Sequence, residues 1–322
     1  MLNLSYKIGR LLSFFLDKKA LSPTDSEFQL IEQLQMRFQS FSVLDIEDEA
    51  SAEGIWASNV NRLRELVLNG NPLEFLRWKV ILETMFVDLA PYVKKELNYL
   101  KHRPDWNSRW RNAIRESRIG RPPVYPFYSK SSGNLIHHAY HLAAFESKSR
   151  KNIGDLDFVL EFGGGYGSVC RLAHNLNFRG KYIIFDLPHF SALQDFYLRA
   201  SGFPVICFED FQKSRTGILC VSDIDELENL TNGCSQGNSL FIGTWSISEA
   251  PIQVRDSILP LAANLENILI AYQEKFKEID NRKFFQDWKQ SLDASITWYE
   301  WAIPHLPSSY YLIGQSVRRD VV

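Results

Sequence analysis

"FVLEFGGGYGSVCRLAHNL", residues 158–176, is the stretch whose reading decides the fold. A short apolar run leads into "EFGGGYG" (161–167), four glycines within seven residues, and a helical pattern of apolar spacing follows at once. Glycine inside an element costs roughly 1 kcal/mol against alanine, so such a cluster between strand and helix points to a ligand that needs bare backbone. A strand that ends in glycines and opens a helix makes a crevice at the carboxyl edge of a sheet. Backbone N–H groups and the helix dipole face that crevice.

Two ligand classes use such a turn. Dinucleotide folds want G-x-G-x-x-G, so that the helix start can hold a pyrophosphate, and Ser168 breaks that pattern after Gly163 and Gly165. Enzymes that use S-adenosylmethionine want an acidic residue and then G-x-G-x-G, which Glu161, Gly163, Gly165 and Gly167 match, with Gly164 between them. This cofactor carries an ammonium group, a sulfonium and a ribose diol but no phosphate. An acid at the strand end suits the ammonium, and a second acid is needed for the diol. Asp186, followed by Leu187, ends the next strand-like run "YIIFD" 25 residues after Glu161, where a one-helix crossover would deliver it.

Outward from this stretch, short β-prone runs alternate with helical patterns, as in βα units with a mainly parallel sheet. Strands are expected at "FVLEF", "YIIFD", "PVICF", "GILCV", "SLFIG" and "NILIAY". "SITWYEWAIP" and "SSYYLIGQSV" predict a closing antiparallel hairpin. Upstream, from Ser26 to about Arg118, apolar residues fall at helical spacings in "EFQLIEQLQMRF", "IWASNVNRLRELVL" and "PLEFLRWKVILETMFVDLAPYVKKEL". The Pro-, Gly- and Ser-rich "RIGRPPVYPFYSKSSGN" marks a boundary. The expected organisation is a helical region over 1–120 and a cofactor-binding domain over 121–322. The helical region can cap the active site, form a dimer or dock a partner, and a homodimer is expected.

The 36 basic and 38 acidic residues leave a formal charge of -2, so no global field draws the chain to nucleic acid or an anionic membrane. No basic stripe and no N-P-P-Y-like segment supports methylation of a flipped base. The four cysteines show no C-x-x-C spacing, which points to a reducing, cytoplasmic setting. No run approaches the roughly 20 apolar residues of a membrane span. The first residues, "MLNLSYKIGRLLSFFLDKK", read as an amphipathic helix, docked on its own domain in preference to a membrane surface or a partner.

"LEFGGGYGSVCRL" with "GKYIIFDLPHFSALQDFYL" resembles the sugar O-methyltransferase family, within the seven-stranded methyltransferases dependent on S-adenosylmethionine. "IGRPPVY", "SSGNLIHHAYHLAAFE" and "LFIGTWSISEAP" are also similar to that family, from about Arg118 to the C-terminal hairpin. "FDLPH" is separately similar to small-molecule O-methyltransferases of the plant type. The resemblance implies an α/β, Rossmann-like seven-stranded methyltransferase sheet, S-adenosylmethionine as cofactor, and a sugar or glycosylated small molecule as acceptor. The alternatives are a non-sugar natural product methylated at oxygen or nitrogen, and a binding subunit that keeps the fold without turnover.

A sugar hydroxyl is a poor nucleophile near neutral pH, so the reaction calls for a base. "HHAYH" places His137, His138 and His141 on an expected helix, with His137 and His141 projecting together and Tyr140 available to the acceptor. These histidines can act as base, pair on a metal at i, i+4 spacing, or serve as scaffold. No H-E-x-x-H or carboxylate-rich motif supports a metal, and none is expected. "GTWSISEAP" follows a strand at the same sheet edge. Ser246 can bind acceptor hydroxyls there, and Glu249 can act as a base of raised pKa, or both can serve the following helix as cap and first-turn acid. For adenine the candidates are Asp210 beside Glu209 in "FED", and Asp223 with Ser222 in "VSD"; Asp210 is preferred. His189 is read as a cap-proximal structural residue, and the aromatics of "WYEW" and "SSYY" as strand packing rather than a sugar platform.

Overall fold

The computed structural model of the chain describes residues 22–46, 51–231, 238–292 and 295–316; the expected N-terminal amphipathic helix and Cys234 lie outside these. By contacts along the chain it divides into two compact units. The first comprises Met1–Ala143, Gly165–Leu176 and Pro188–Val205, the second Ala144–Gly164, Asn177–Leu187 and Ile206–Val322.

The second unit holds the sheet. β1 (Phe158–Phe162), β2 (Lys181–Phe185), β3 (Gly217–Val221), β4 (Ser239–Thr244) and β5 (Asn267–Gln273) run parallel. A two-residue pair, β6 (Lys275–Phe276) with β7 (Ile279–Asp280), stands apart, and β8 (Ile296–Ala302) and β9 (Ser309–Ser316) form the expected antiparallel hairpin. The sheet order is β3-β2-β1-β4-β5-β9-β8, with β9 antiparallel to β5, so the expected Rossmann-like sheet of seven strands, closed by a C-terminal antiparallel hairpin, is the one observed. β1 is buried along its whole length, which is why its sequence is a continuous apolar run rather than an alternation. The chain leaves β1 towards β2 and β3 and then returns to the other side of β1 at β4. β1 and β4 therefore flank the switch point, where open α/β sheets hold ligands. One apolar core beneath the sheet joins Leu160, Ile183, Phe241, Ile258, Ile270 and Phe285.

One expected strand is absent. "PVICF" stays irregular and runs into a helix, Phe208–Lys213. Pro204 has no N–H to give a ladder, and pairing stops at a single bridge at Val205, where Ile206 N–H donates to Ile218 O (2.9 Å). Glu209 and Asp210 then suit the first turn of the new helix. The third strand is "GILCV".

The first unit is helical, with Asp25–Ser40 and Ala52–Asn69 where expected. Thr24 and Glu27 form a reciprocal capping box at the first of these, which fixes its start. The long run from Pro72 is broken into a 3-10 turn, Pro72–Arg77, and two helices, Lys79–Thr84 and Val93–Lys101. Trp78 is extended (φ -70°, ψ 136°) and interrupts the helical spacing that the sequence carries through it. Gly133–Ser149, the histidine helix, passes from this unit into the second. Within the first unit, Phe75 meets the rings of Tyr166 and Tyr197 edge-on at 5.7 Å each, and Arg171 pairs with Glu116 (2.9 Å) in the interior.

Candidate functional site

Glu161 stands at the end of β1 and is 3% exposed. The Tyr182 hydroxyl, from neighbouring β2, donates to its Oε2 at 2.8 Å. Burial pushes its carboxyl up to about 8, against the lowering effect of the Tyr182 bond, and the charge of Asp186 adds to the rise. A carboxyl kept neutral only for want of a cation is suited to receive one.

The glycines after Glu161 serve different ends. Gly163 has φ +66°, and a Cβ there would fall 2.3 Å from Ser246 Cβ, so this glycine lets the ends of β1 and β4 close together. At Gly164 a Cβ would fall 2.5 Å from Ile184 Cγ2 and 3.1 Å from Glu161 Cδ. These two positions are bare because the protein's own atoms need the room. Gly165 is different: its φ is +59° and the nearest neighbour of a Cβ is 3.6 Å away, so conformation and not crowding selects glycine there. Gly167 caps the helix Ser168–Asn175 in a left-handed conformation.

Asp186 follows β2, and its N–H donates to Val221 O (3.0 Å) at the end of β3. Its Oδ1 accepts from Leu187 N–H at 2.8 Å, and Leu187 itself is exposed beside it. At β3 the strand end carries Ser222 and Asp223, both exposed, and Asp223 Oδ1 accepts from Glu226 N–H (3.0 Å). Asp210, the preferred adenine candidate on the expectation that "FED" ends a strand, sits instead on the exposed first turn of a helix. The premise for that preference falls with the missing strand.

At the end of β4 the backbone is strained. Trp245 has φ +65° and ψ -45°, a conformation that costs a non-glycine residue about 1–3 kcal/mol and gathers at functional sites. Its N–H donates to Ala271 O at 2.6 Å. The turn Ser246–Glu249 follows, and buried Arg255 braces it by donating to Ser248 O (2.7 Å), Ala250 O (2.9 Å) and Asn281 Oδ1 (2.7 Å). Ser246 Oγ donates to Phe162 O at 2.5 Å, so its hydroxyl proton ties the two strand ends together and only its lone pairs remain for another group. Glu249 is half-buried, with Gln273 Nε2 donating to its Oε1 at 3.3 Å. Burial lifts its carboxyl to about 7, with Gln273 drawing it back. Trp245, Tyr182, Gln273 and Arg255 were not singled out from sequence. A strand-to-helix junction without glycine at Trp245 was the one available signal.

His137 and His141 belong to the first unit and are both buried. His137 Nδ1 lies 2.8 Å from Glu96 Oε1, and His141 Nε2 lies 3.0 Å from His137 Nε2. With the His137 Nδ1 proton donated to Glu96, His137 Nε2 accepts from His141 N–H, and the three side chains form one chain of hydrogen bonds. Among the described residues no cluster of three or more His, Cys, Asp or Glu side chains is arranged to hold a metal. Burial drives His138 down to about 3, with His137 adding to the fall, so its ring is neutral and weakly basic. Tyr140 meets Tyr99 edge-on at 5.1 Å. His189 packs on Phe38 and Phe41 at 5.4 and 4.3 Å, in keeping with a structural role.

No family model and no curated protein matches the chain. Among solved structures it is similar to an rRNA methylase from Streptococcus thermophilus (14% identity, 57% of this chain and 95% of that one, TM-score 0.36). It is also similar to the methyltransferase domain of a bacterial Hen1 protein (10%, 56% and 97%, TM-score 0.38). A third is precorrin-6y C5,15-methyltransferase from Geobacter metallireducens (14%, 55% and 86%, TM-score 0.33). Among the described residues no helix is long and apolar enough to cross a membrane.

Proposed function

We propose that the chain is a methyltransferase that uses S-adenosylmethionine and methylates a hydroxyl of a sugar or glycosylated small molecule. The observation that carries the reading is Glu161: a buried carboxyl at the switch point of the sheet, beside a glycine turn, with a second acid, Asp186, at the end of the adjacent strand. The residues fit the cofactor. Glu161 would hold its ammonium group, Gly163, Gly164, Gly165 and Gly167 would shape the turn around its tail, and Asp186 with Leu187 would take the ribose and an adjoining apolar surface. The cofactor would supply a methyl group on a sulfonium, a strong electrophile at carbon.

The chain's task is to align the acceptor oxygen and take its proton. Glu249 is the better base because a carboxyl near 7 is matched to neutral pH, whereas His138 is too weak and His137 and His141 already bond to each other and to Glu96. Gln273 fixes the Glu249 carboxyl, and Arg255 fixes the turn that carries it. The histidine helix and Tyr140 then act as scaffold of the first unit, which we assign to capping or to a homodimer contact.

The test is calorimetric titration with S-adenosylhomocysteine, the demethylated product. Wild type should bind, and Glu161→Gln, which keeps the Tyr182 hydrogen bond but cannot ionise, should bind about 100-fold more weakly. A wild type that does not bind, or a variant that binds as well, overturns the reading.

A further inference from the structure

A groove of about 440 Å³ opens on the second unit between the helix Asn281–Ser291 and β8, lined by Arg282, Gln286, Lys289, Gln290, Trp298 and Glu300. Its volume falls within the roughly 300–1,000 Å³ of small-molecule sites. The groove is not part of the strand-edge crevice. β8 is four strand positions from β1, about 19 Å at the usual strand spacing.

Its lining is ordered. Arg282, Gln286 and Gln290 follow one another at four-residue steps on the helix, with Lys289 beside them, while Phe285 turns inward to the core. Across from them Trp298 and Glu300, two residues apart, share one face of β8. Gly314 makes room for the indole, since a Cβ there would fall 2.6 Å from Trp298 Cζ3, and Trp288 braces it edge-on at 5.4 Å. Lys289 is ion-paired with Glu300, which also accepts from the Tyr272 hydroxyl and is attracted by Arg282, so two cations share this one carboxylate. Arg282 lies over the Tyr310 ring at 4.3 Å; a hydrogen bond to Tyr310 and the more distant Glu300 carboxylate favour its charged form, and it makes no close ion pair among the described residues. Neither Gln286 nor Gln290 has a side-chain hydrogen-bond partner among them.

Two planar amides facing solvent, one net positive charge from two cations set against a single carboxylate, and a braced indole are the groups that recognise a ring of hydroxyls with apolar C–H faces and a single negative charge. We propose that the groove is a second binding site, for a saccharide bearing one carboxylate. A phosphate site would call for more than one free cation or a run of backbone N–H groups, and a peptide site for a more apolar floor.

The probes are methyl glucuronide, methyl glucoside and inorganic phosphate, followed by saturation-transfer NMR and by shift titration of the indole and Gln side-chain signals of the full chain. The glucuronide should bind about tenfold more tightly than the glucoside, and Arg282→Ala should bring the two level. Gln286→Ala should weaken both, and Trp298→Ala should abolish saturation of the sugar C–H protons. Arg282 and Gln286 are exposed, so their variants test the site even if loss of Trp298 disturbs the hairpin. Absence of binding by either sugar at tens of millimolar overturns the proposal, as does binding indifferent to Arg282→Ala and Gln286→Ala, or phosphate competing as well as glucuronide. Glu161→Gln should leave glucuronide binding unchanged, which separates this outcome from the fate of the methyl-transfer reading.

Discussion

Two regions of the molecule bury ionisable side chains in opposite ways. Around His137 both ring nitrogens find partners, Glu96 Oε1 at one and His141 at the other, all inside the first unit. At the end of β1 in the second unit, Glu161 takes one hydrogen bond, from Tyr182, and its carboxyl rises to about 8 because burial is not offset by any cation. Glu249 repeats the second pattern with Gln273. The difference teaches that burial by itself says little about role. A hydrogen-bonded polar cluster rigidifies a core, whereas a buried acid held away from its ordinary pKa with no cation beside it marks a candidate site.

The strongest way to break this contrast is His137→Ala. It should strip hydrogen bonds from two buried partners at once and cost about 3 kcal/mol or more of stability, read from urea unfolding. Affinity for S-adenosylhomocysteine, measured by calorimetry on the folded variant, should stay within about twofold of wild type, since a structural cluster has no direct part in binding. A stable variant that loses binding would exchange the roles of the two regions.

A smaller effect sharpens the other side. With Glu161 raised to about 8, the folded chain holds a proton there that the unfolded chain has already lost, between about pH 4.5 and 8. Stability of the ligand-free protein should therefore fall as pH rises through that window, and Glu161→Gln should flatten the fall. A bound ammonium favours the carboxylate and lowers its pKa. Binding at pH 7 should then release close to one proton, seen as a dependence of the calorimetric enthalpy on the buffer's ionisation enthalpy, and affinity should rise up to about tenfold for each unit by which pH is raised toward 8. Uptake of a proton, or none exchanged, would remove Glu161 from the ammonium site.

Much of the sheet was legible because its signals are local. Burial on both faces wrote β1, β4 and β5 as continuous apolar runs, and the glycine turn announced the junction after β1. The partners of the key groups were not legible, because they come from pairing across the sheet or from distant segments. Tyr182 is opposite Val159 in the β1–β2 register, and only that register brings its hydroxyl to Glu161. Glu96 reaches His137 from 41 residues away. The helix Asn281–Ser291 carries only Phe284, Phe285 and Trp288 as large apolar residues, too few to display a period.

The third strand shows how a local signal misleads and yields the smallest of the expected effects. "PVICF" and "GILCV" are equally β-prone, and choosing the first puts Asp210 at a strand end. The structure puts Asp223 there, because Pro204 cannot donate to a ladder and the chain turns helical at Phe208. If the carboxyl end of β3 touches the adenine, Asp223→Ala should weaken S-adenosylhomocysteine about fivefold, the worth of one modest hydrogen bond. Part of that loss could come through the helix it caps at Glu226 N–H, so Asp223→Ser, which keeps a capping oxygen, is the needed control: it should cap as well and bind no better than the alanine variant. Asp210→Ala, on its exposed helical turn, should bind as wild type does. A loss at Asp210 in place of Asp223 would mean that the nucleoside follows the loop before β3, and the strand end would then carry no part of the site.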